Sequence, residues 1–339
     1  MSITADARQF ERDIRELRLP GFFRLDLTVN ALRRLHTNVV DVLTPDHRYV
    51  RAFDGPRGTI VVSVEQTGAR KLRIAIDGGA GDDAEILRTI QRMLGFDCDL
   101  TPFNRGAAQI PWLRALAIRM RGIKPPRYPT LWEAFVNAVA FQQLSLHAAA
   151  AIVARVVVEL QPAIVHHGIA LYPFPTAGQF LGASQRRLRA AGLSDNKIAT
   201  LRRVADAIAA GVLDERTLKD RSTSDCLAVL GGIKGVGPWT ATVVLLRGLG
   251  RLDLFPLNDT SVGHNLALLP GAAPAALPQA LARLRPQQGM LYYHLLLARL
   301  ETRGALGKFT ATRRHHCSAA EAQMLALDVR SKINRAGAL

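Results

Sequence analysis

Two stretches of the chain combine residue types and spacings that can do chemistry. In LGGIKGVGPWTA (230–241) a helix ending near Leu230 meets Gly235 and Gly237. Pro238 then opens the next helix, where its missing N–H costs nothing. The glycines let the backbone turn tightly and approach a ligand closely. The N–H groups exposed at a helix start favour an anion, and Lys234 adds charge beside them. In RLDLFPLNDTSV (251–262) Asp259 directly precedes TSVGHNLALL, which reads as a short helix, so its ordinary role is N-cap. Capping is compatible with catalysis, because a helix start favours negative charge. A carboxylate at the mouth of an apolar cleft can stabilise a cationic sugar as a base departs. Asp253, in the same stretch, is the local competitor.

These groups sit in a strongly basic chain. Its 339 residues suggest about two domains, and 48% hydrophobic against 21% charged residues is a globular composition. Lys plus Arg number 44 and Asp plus Glu 28, a net charge of +16. Such an excess calls for a polyanionic partner, nucleic acid or an anionic membrane surface. A generally arginine-rich protein is the bland alternative. Cys98, Cys226 and Cys317 lie far apart and exclude both a disulfide framework and a four-cysteine metal site. In His315-His316-Cys317 adjacent residues cannot all reach one ion, so no metal cofactor is expected. The start MSITADARQFERDIRELRLP lacks an apolar signal core. The apolar run Ala148–Ala154 ends at Arg155, well short of the ~20 residues of a membrane span. A cytoplasmic protein is expected.

The elements that must hold the two motifs are legible from periodicity. Between Phe22 and about Asp99, FFRLDLTV, RYVRAF, TIVVSV and KLRIAI are β-rich runs separated by turn residues such as Asp54-Gly55. After a turn-rich linker over 78–83, DAEILRTIQRMLG carries Ile86, Ile90, Met93 and Leu94 at helical spacing. Beyond Pro102 the character is helical. LWEAFVNAVAFQQLSLHAAAAIVARVVVEL is apolar on more than one face, and Gln142 and Gln143 fall on a turn after its first, buried helix. SQRRLRAAG, NKIATLRRVADAIAAG and SDCLAVLGG each end in glycine, a frequent helix stop. PQALARLRPQQGMLYYHLLLARLETRG adds helix interrupted near Pro286. The expected class is α+β: a mixed sheet-and-helix domain over 1–105, an all-helical domain over 106–310, and a basic helix or tail over 311–339.

A Gly-Val-Gly hairpin followed by an aspartate at this distance resembles the helix–hairpin–helix base-excision DNA glycosylases. GVGPWTA…LFPLNDTSV is most similar to the 3-methyladenine DNA glycosylase II family, the alkylation-repair branch. The similarity extends through YPTLWEAFVNAVAFQQLSLHAAA, FPTAGQFLGAS, FRLDLTV and MLGFDCDL, and covers most of residues 20–300. It implies a TBP-like N-terminal domain and a helix–hairpin–helix glycosylase domain. The implied activity is monofunctional hydrolysis of the N-glycosidic bond of alkylated purines in duplex DNA.

By the same resemblance Asp259 is the catalytic carboxylate. Trp239 stands where bifunctional members carry a Schiff-base lysine; an indole cannot attack the sugar, so no AP-lyase activity is expected. Trp239, Phe22, Phe23, Gln142, Tyr292 and Tyr293 would line the base pocket. Lys234, Gly235, Gly237, Thr240, Gln143 and Leu144 would face DNA, with Gln143 or Leu144 filling the gap left by an extruded base. Three positions depart from the family pattern: Gln143 replaces an apolar wedge, Gln287 a tryptophan and Val243 a pocket aromatic. No cofactor is implied, although backbone carbonyls of Gly231, Ile233 and Val236 would match a structural monovalent cation. The partner is double-stranded DNA with damaged bases, bound by a monomer that is cytoplasmic, nucleoid-associated and off the membrane. Two other readings stay open: a glycosylase for oxidised or deaminated bases, and a non-catalytic DNA-lesion-binding protein.

Overall fold

The computed structural model describes residues 12–55, 57–78 and 83–306. The expected C-terminal segment, with His315, His316 and Cys317, and most of the 78–83 linker lie outside them. Strands β1 (Arg12–Arg18), β2 (Val42–Leu43), β3 (Tyr49–Gly55), β4 (Gly58–Gly68) and β5 (Lys71–Asp77) form an antiparallel sheet ordered β1-β5-β4-β3-β2. Alternation in β4 and β5 sends Ile60, Val62, Val64, Leu72, Ile74 and Ile76 to one buried face. Strand β1 was invisible in the sequence because RDIRELR is charged along its length, as suits an edge.

The segment FRLDLTV is a correction: Leu25–Arg33 form helix α1, not a strand. Its alternating pattern arises because the helix is buried on two sides. Leu25, Val29 and Leu32 join the sheet's core, while Leu27, Ala31 and Leu35 enter a second one. Helix α2 (Asp83–Leu94) lies where its periodicity put it, with Ile86, Ile90 and Met93 in the first core. Helices α3 (Thr101–Ala108) and α4 (Pro111–Arg119) follow, and α3 runs through position 105. The second core joins α1 to both of them and to the C-terminal helices. The sheet and the helical part therefore share apolar interior across the expected boundary.

Helices α5 (Leu131–Phe141) and α6 (Leu146–Leu160) are separated by a turn at Gln142–Ser145. A hairpin of β6 (Ile164–His166) and β7 (Ile169–Leu171) then seats Leu171 against Val50, Ala52 and Val61 on the sheet's other face. Next come α7 (Ala177–Gly182), α8 (Gln185–Ala190), α9 (Asp195–Ala209), α10 (Glu215–Asp220), α11 (Thr223–Gly231) and α12 (Pro238–Val244). The described residues close with α13 (Thr260–Leu266), α14 (Leu277–Arg283) and α15 (Gly289–Thr302). Thr130, Ser145, Ser194, Ser222 and Asp259 each cap the following helix with a side-chain oxygen. Local chemistry therefore sets the helix starts around the site.

Two buried arginines tie the layers together. Arg51 of β3 bridges Asp41 at 2.8 Å and Glu133 of α5 at 2.5 Å. Arg247 donates to the carbonyls of Ala31 and Leu32, both at 2.9 Å, and so holds the last turn of α1 against the helical part. No helix among the described residues is long and apolar enough to cross a membrane.

Candidate active-site cleft

Helices α5, α6, α9, α12, α13 and α15 surround a cleft of about 1000 Å³. Asp259 stands in its wall at the start of α13. One carboxylate oxygen accepts the Ser261 N–H at 2.8 Å and the other accepts the Trp239 indole N–H at 3.1 Å. Both oxygens are thus fixed in direction by donors from two different elements. Asp259 is the only carboxylate among the described residues lining the cleft. The competitor Asp253 is exposed and accepts from the Thr223 hydroxyl at 2.6 Å, outside the lining. Tyr292 of α15 is buried in the wall. Burial pushes its phenol up; more weakly, the Arg34 guanidinium lowers it and the Asp259 carboxylate raises it.

The hairpin 232–237 joins α11 to α12 at the cleft's rim. Gly235 has φ 99°, and a Cβ there would lie 2.0 Å from the Thr200 hydroxyl of α9. Glycine is required at this position by conformation and by space. Gly237 has φ −83° and opens onto free space. Gln142 donates to the Gly235 carbonyl at 3.1 Å and the Thr240 hydroxyl at 2.8 Å, which clamps the α5–α6 turn onto the hairpin. Gln143 projects beyond that clamp with φ 57°, next to Leu144, and both are exposed at the cleft.

The structure thus brings together Asp259, Trp239, Tyr292, Gln142, Gln143, Leu144, Gly235, Gly237 and Thr240. Four expected residues stand elsewhere. Phe23 is fully buried edge-on against Phe96 in the sheet's core. Phe22 packs beside Gly122 and Arg121 on the surface, away from the cleft. Tyr293 stands edge-on against Tyr292 but outside the lining, where its hydroxyl donates to the Pro126 carbonyl at 3.0 Å. Lys234 is exposed on the hairpin outside the lining, its carbonyl accepting from Arg203. Thr240 borders the cleft but is 2% exposed, with its hydroxyl taken by Gln142, so no side-chain contact with DNA is available there. Gln287 donates to the Asp99 carbonyl at 2.6 Å and Val243 lies in the core, so neither departure leaves a polar gap in the cleft.

Sequence reasoning missed several lining residues. Arg34, Lys197, Asn265 and Arg299 come from four elements or their ends and carry no local motif. Lys197 of α9 is the only lysine among the described lining residues, and its ammonium donates to the carbonyls of Ala140 and Gln142, each at 3.0 Å. Burial pushes its pKa down. One group of metal-ligating type, Asp77 with His166 and His167, sits among the described residues, but none of the three lines the cleft.

Residues 136–284 match the HhH-GPD superfamily of base excision DNA repair proteins. The matched span contains both the hairpin and Asp259. These residues form a HhH-GPD base excision DNA repair domain. The chain is 29% identical to a DNA-3-methyladenine glycosylase of Bacillus subtilis over 185 residues, covering 55% of this chain and 61% of that protein. It is 31% identical over 260 residues to a probable bifunctional transcriptional activator/DNA repair enzyme AlkA of Mycobacterium tuberculosis, covering 74% of this chain and 50% of that one. The chain thus spans less than two thirds of the length of either relative. In structure it is similar to a 3-methyladenine DNA-glycosylase from Archaeoglobus fulgidus, with a TM-score of 0.71, 22% identity, and coverage of 85% and 99% of the two chains. That likeness shows the α+β fold, a five-stranded antiparallel sheet followed by a helical part.

Proposed function

We propose that the protein is a monofunctional DNA glycosylase that hydrolyses the N-glycosidic bond of alkylated purines in duplex DNA. The observation that carries this reading is Asp259. It is the only carboxylate among the described lining residues, and donors from two elements hold it at the wall of a cleft large enough for a base. The HhH-GPD match over residues 136–284 supports the context of base excision repair. A base extruded from the stack enters the cleft. Alkylation has already made it a good leaving group, and it departs with the bonding electron pair. Asp259 faces the positive charge that grows on the sugar, and a water oxygen then bonds the anomeric carbon as the water's proton passes to solvent. This is electrostatic catalysis by a group positioned before the reaction starts.

Gln143 and Leu144, exposed on a turn clamped to the hairpin, are the residues that would fill the vacated stack. The hairpin's open face at Gly237 would take a DNA phosphate. The test is release of base from duplexes carrying single lesions, with alkali afterwards to reveal abasic sites, in wild type and Asp259→Asn. The asparagine keeps a cap of the same shape, so Tm and lesion-duplex affinity should change little while base release falls by orders of magnitude. Excision by Asp259→Asn at the wild-type rate would overturn the role given to the carboxylate.

A further inference from the structure

The β6–β7 hairpin contributes two members of the one metal-ligating group among the described residues, and the chemistry of Asp259 does not use it. His166 pairs with Ile169, so the loop is His167-Gly168, and both loop residues have positive φ, 45° and 78°. That is the signature of a type I′ turn, for which Asn-Gly is a favoured pair. In a regular strand adjacent side chains point to opposite faces. The left-handed backbone at His167 breaks that alternation, and the His166 and His167 rings come together with centroids 4.3 Å apart at 65°. Asp77 meets them from the sheet. It ends β5 in register with Val61, on the face that Leu171 of the hairpin covers, and is 3% exposed. Its Oδ2 lies 3.2 Å from His166 Nε2. One ligand atom from each of the three residues lies within 4.8 Å of the other two.

We propose that Asp77, His166 and His167 bind one zinc-type divalent ion, which ties the hairpin to the sheet and takes no part in base release. Two imidazoles and one carboxylate suit a first-row transition ion, whereas magnesium and calcium take oxygen ligands. Zinc bonds such nitrogens and oxygens at about 2.0–2.1 Å, so tetrahedral donors stand roughly 3.3 Å apart. His166 and Asp77 already hold that separation, and the exposed His167 side chain can swing in to close the triangle. An ion at such bond lengths sits between the three donors and needs no water-sized opening there. It enters past His167 from solvent, and a water completes the fourth position. Binding takes both rings neutral, each keeping its proton on the nitrogen that does not coordinate. The strands of this hairpin are three residues each, too short to be stable alone. The ion fastens their turn to a buried carboxylate of β5.

The experiment strips the full chain with a chelator, removes the chelator, and titrates zinc chloride by calorimetry, with Tm read with and without zinc. Wild type should bind one equivalent more than His167→Asn. Zinc at roughly 100-fold over its dissociation constant should raise the wild-type Tm by a few degrees. Asparagine suits the type I′ turn, so the Tm of this variant without zinc should match wild type. His166→Gln should lose the same equivalent, and it replaces His167→Asn if that variant does not fold. Cobalt(II) in place of zinc should give the visible absorption of a four-coordinate ion in wild type and in neither variant. Magnesium should leave Tm unchanged. A wild type that takes up no zinc, a Tm gain matched by magnesium, or retention of the extra equivalent in either variant would overturn the proposal.

Discussion

Trp239 gives its one polar hydrogen to Asp259, and in the proposed function this donor to the carboxylate stands at the position where the resemblance puts the Schiff-base lysine of bifunctional members. Of the cleft's lining, Lys197 is the group to watch. Desolvation shifts it toward the neutral amine that a Schiff base needs, yet two carbonyls at 3.0 Å hold its ammonium. Those bonds make it a staple of the α5 terminus. Borohydride added during turnover should therefore trap no protein–DNA adduct, and strands should stay intact until alkali is added. An adduct lost in Lys197→Arg would show that the staple is a nucleophile after all. At this scale the sequence disclosed Asp259 and Trp239 because each sits inside a continuous motif. It disclosed neither Lys197 nor Arg34, because their place in the cleft depends on contacts with residues far along the chain. Phe22 and Phe23 show the converse error: the resemblance placed them in the pocket, and the apolar core and Gly122 took them instead.

The hairpin's two glycines have separable duties, which gives a test at the level of elements. Gly235 has φ 99° and no room for a Cβ against Thr200, so Gly235→Ala should cost on the order of 2–3 kcal/mol of stability. Gly237 has ordinary extended backbone and open space around it. Gly237→Val should leave Tm within a degree or two of wild type, roughly the effect of a neutral surface change. Equal destabilisation by the two variants would refute this division. Helix α15 supplies a second test. His294 is buried against Phe103 with its Nδ1–H donating to the Met290 carbonyl at 2.8 Å, and burial pushes its pKa down to about 4. The unfolded chain binds that proton near pH 6.5. Stability from this group is therefore complete above pH 6.5 and lost as pH falls toward 4, by about 3 kcal/mol. His294→Phe should flatten that part of the stability–pH curve, and an unchanged slope in urea unfolding between pH 4 and 6.5 would refute the assignment. The elements themselves were legible wherever one face is buried, as in α2, β4 and β5. They were misread where burial is two-sided, as in α1, or absent, as in the edge strand β1. The β6–β7 hairpin was missed because its three-residue strands are too short to establish a period.

Across the whole molecule, 44 cationic side chains face 28 acidic ones, and several of the acidic ones are already consumed in ion pairs such as Arg51 with Glu133 and Arg187 with Glu159. An excess of +16 cannot be neutralised internally, so it leaves a net positive field suited to a polyanion. If DNA is that polyanion, most of the affinity for an undamaged duplex comes from released counterions. The logarithm of affinity should then fall linearly with the logarithm of salt, by roughly 0.9 for each phosphate neutralised. The hairpin should contribute to this affinity without contributing to base choice, because a turn that meets only backbone carries no sequence information. Gly237→Val places two methyl groups on the open face of that turn while sparing the fold. It should weaken binding to an intact and a lesion-bearing duplex by the same factor at every salt concentration, and leave the ratio between them unchanged. The measurement is a salt titration of both proteins on both duplexes. A variant that kept its affinity for intact DNA and lost only its preference for the lesion would move the hairpin from the phosphate-facing rim into the base pocket, and with it the whole orientation of DNA on this surface.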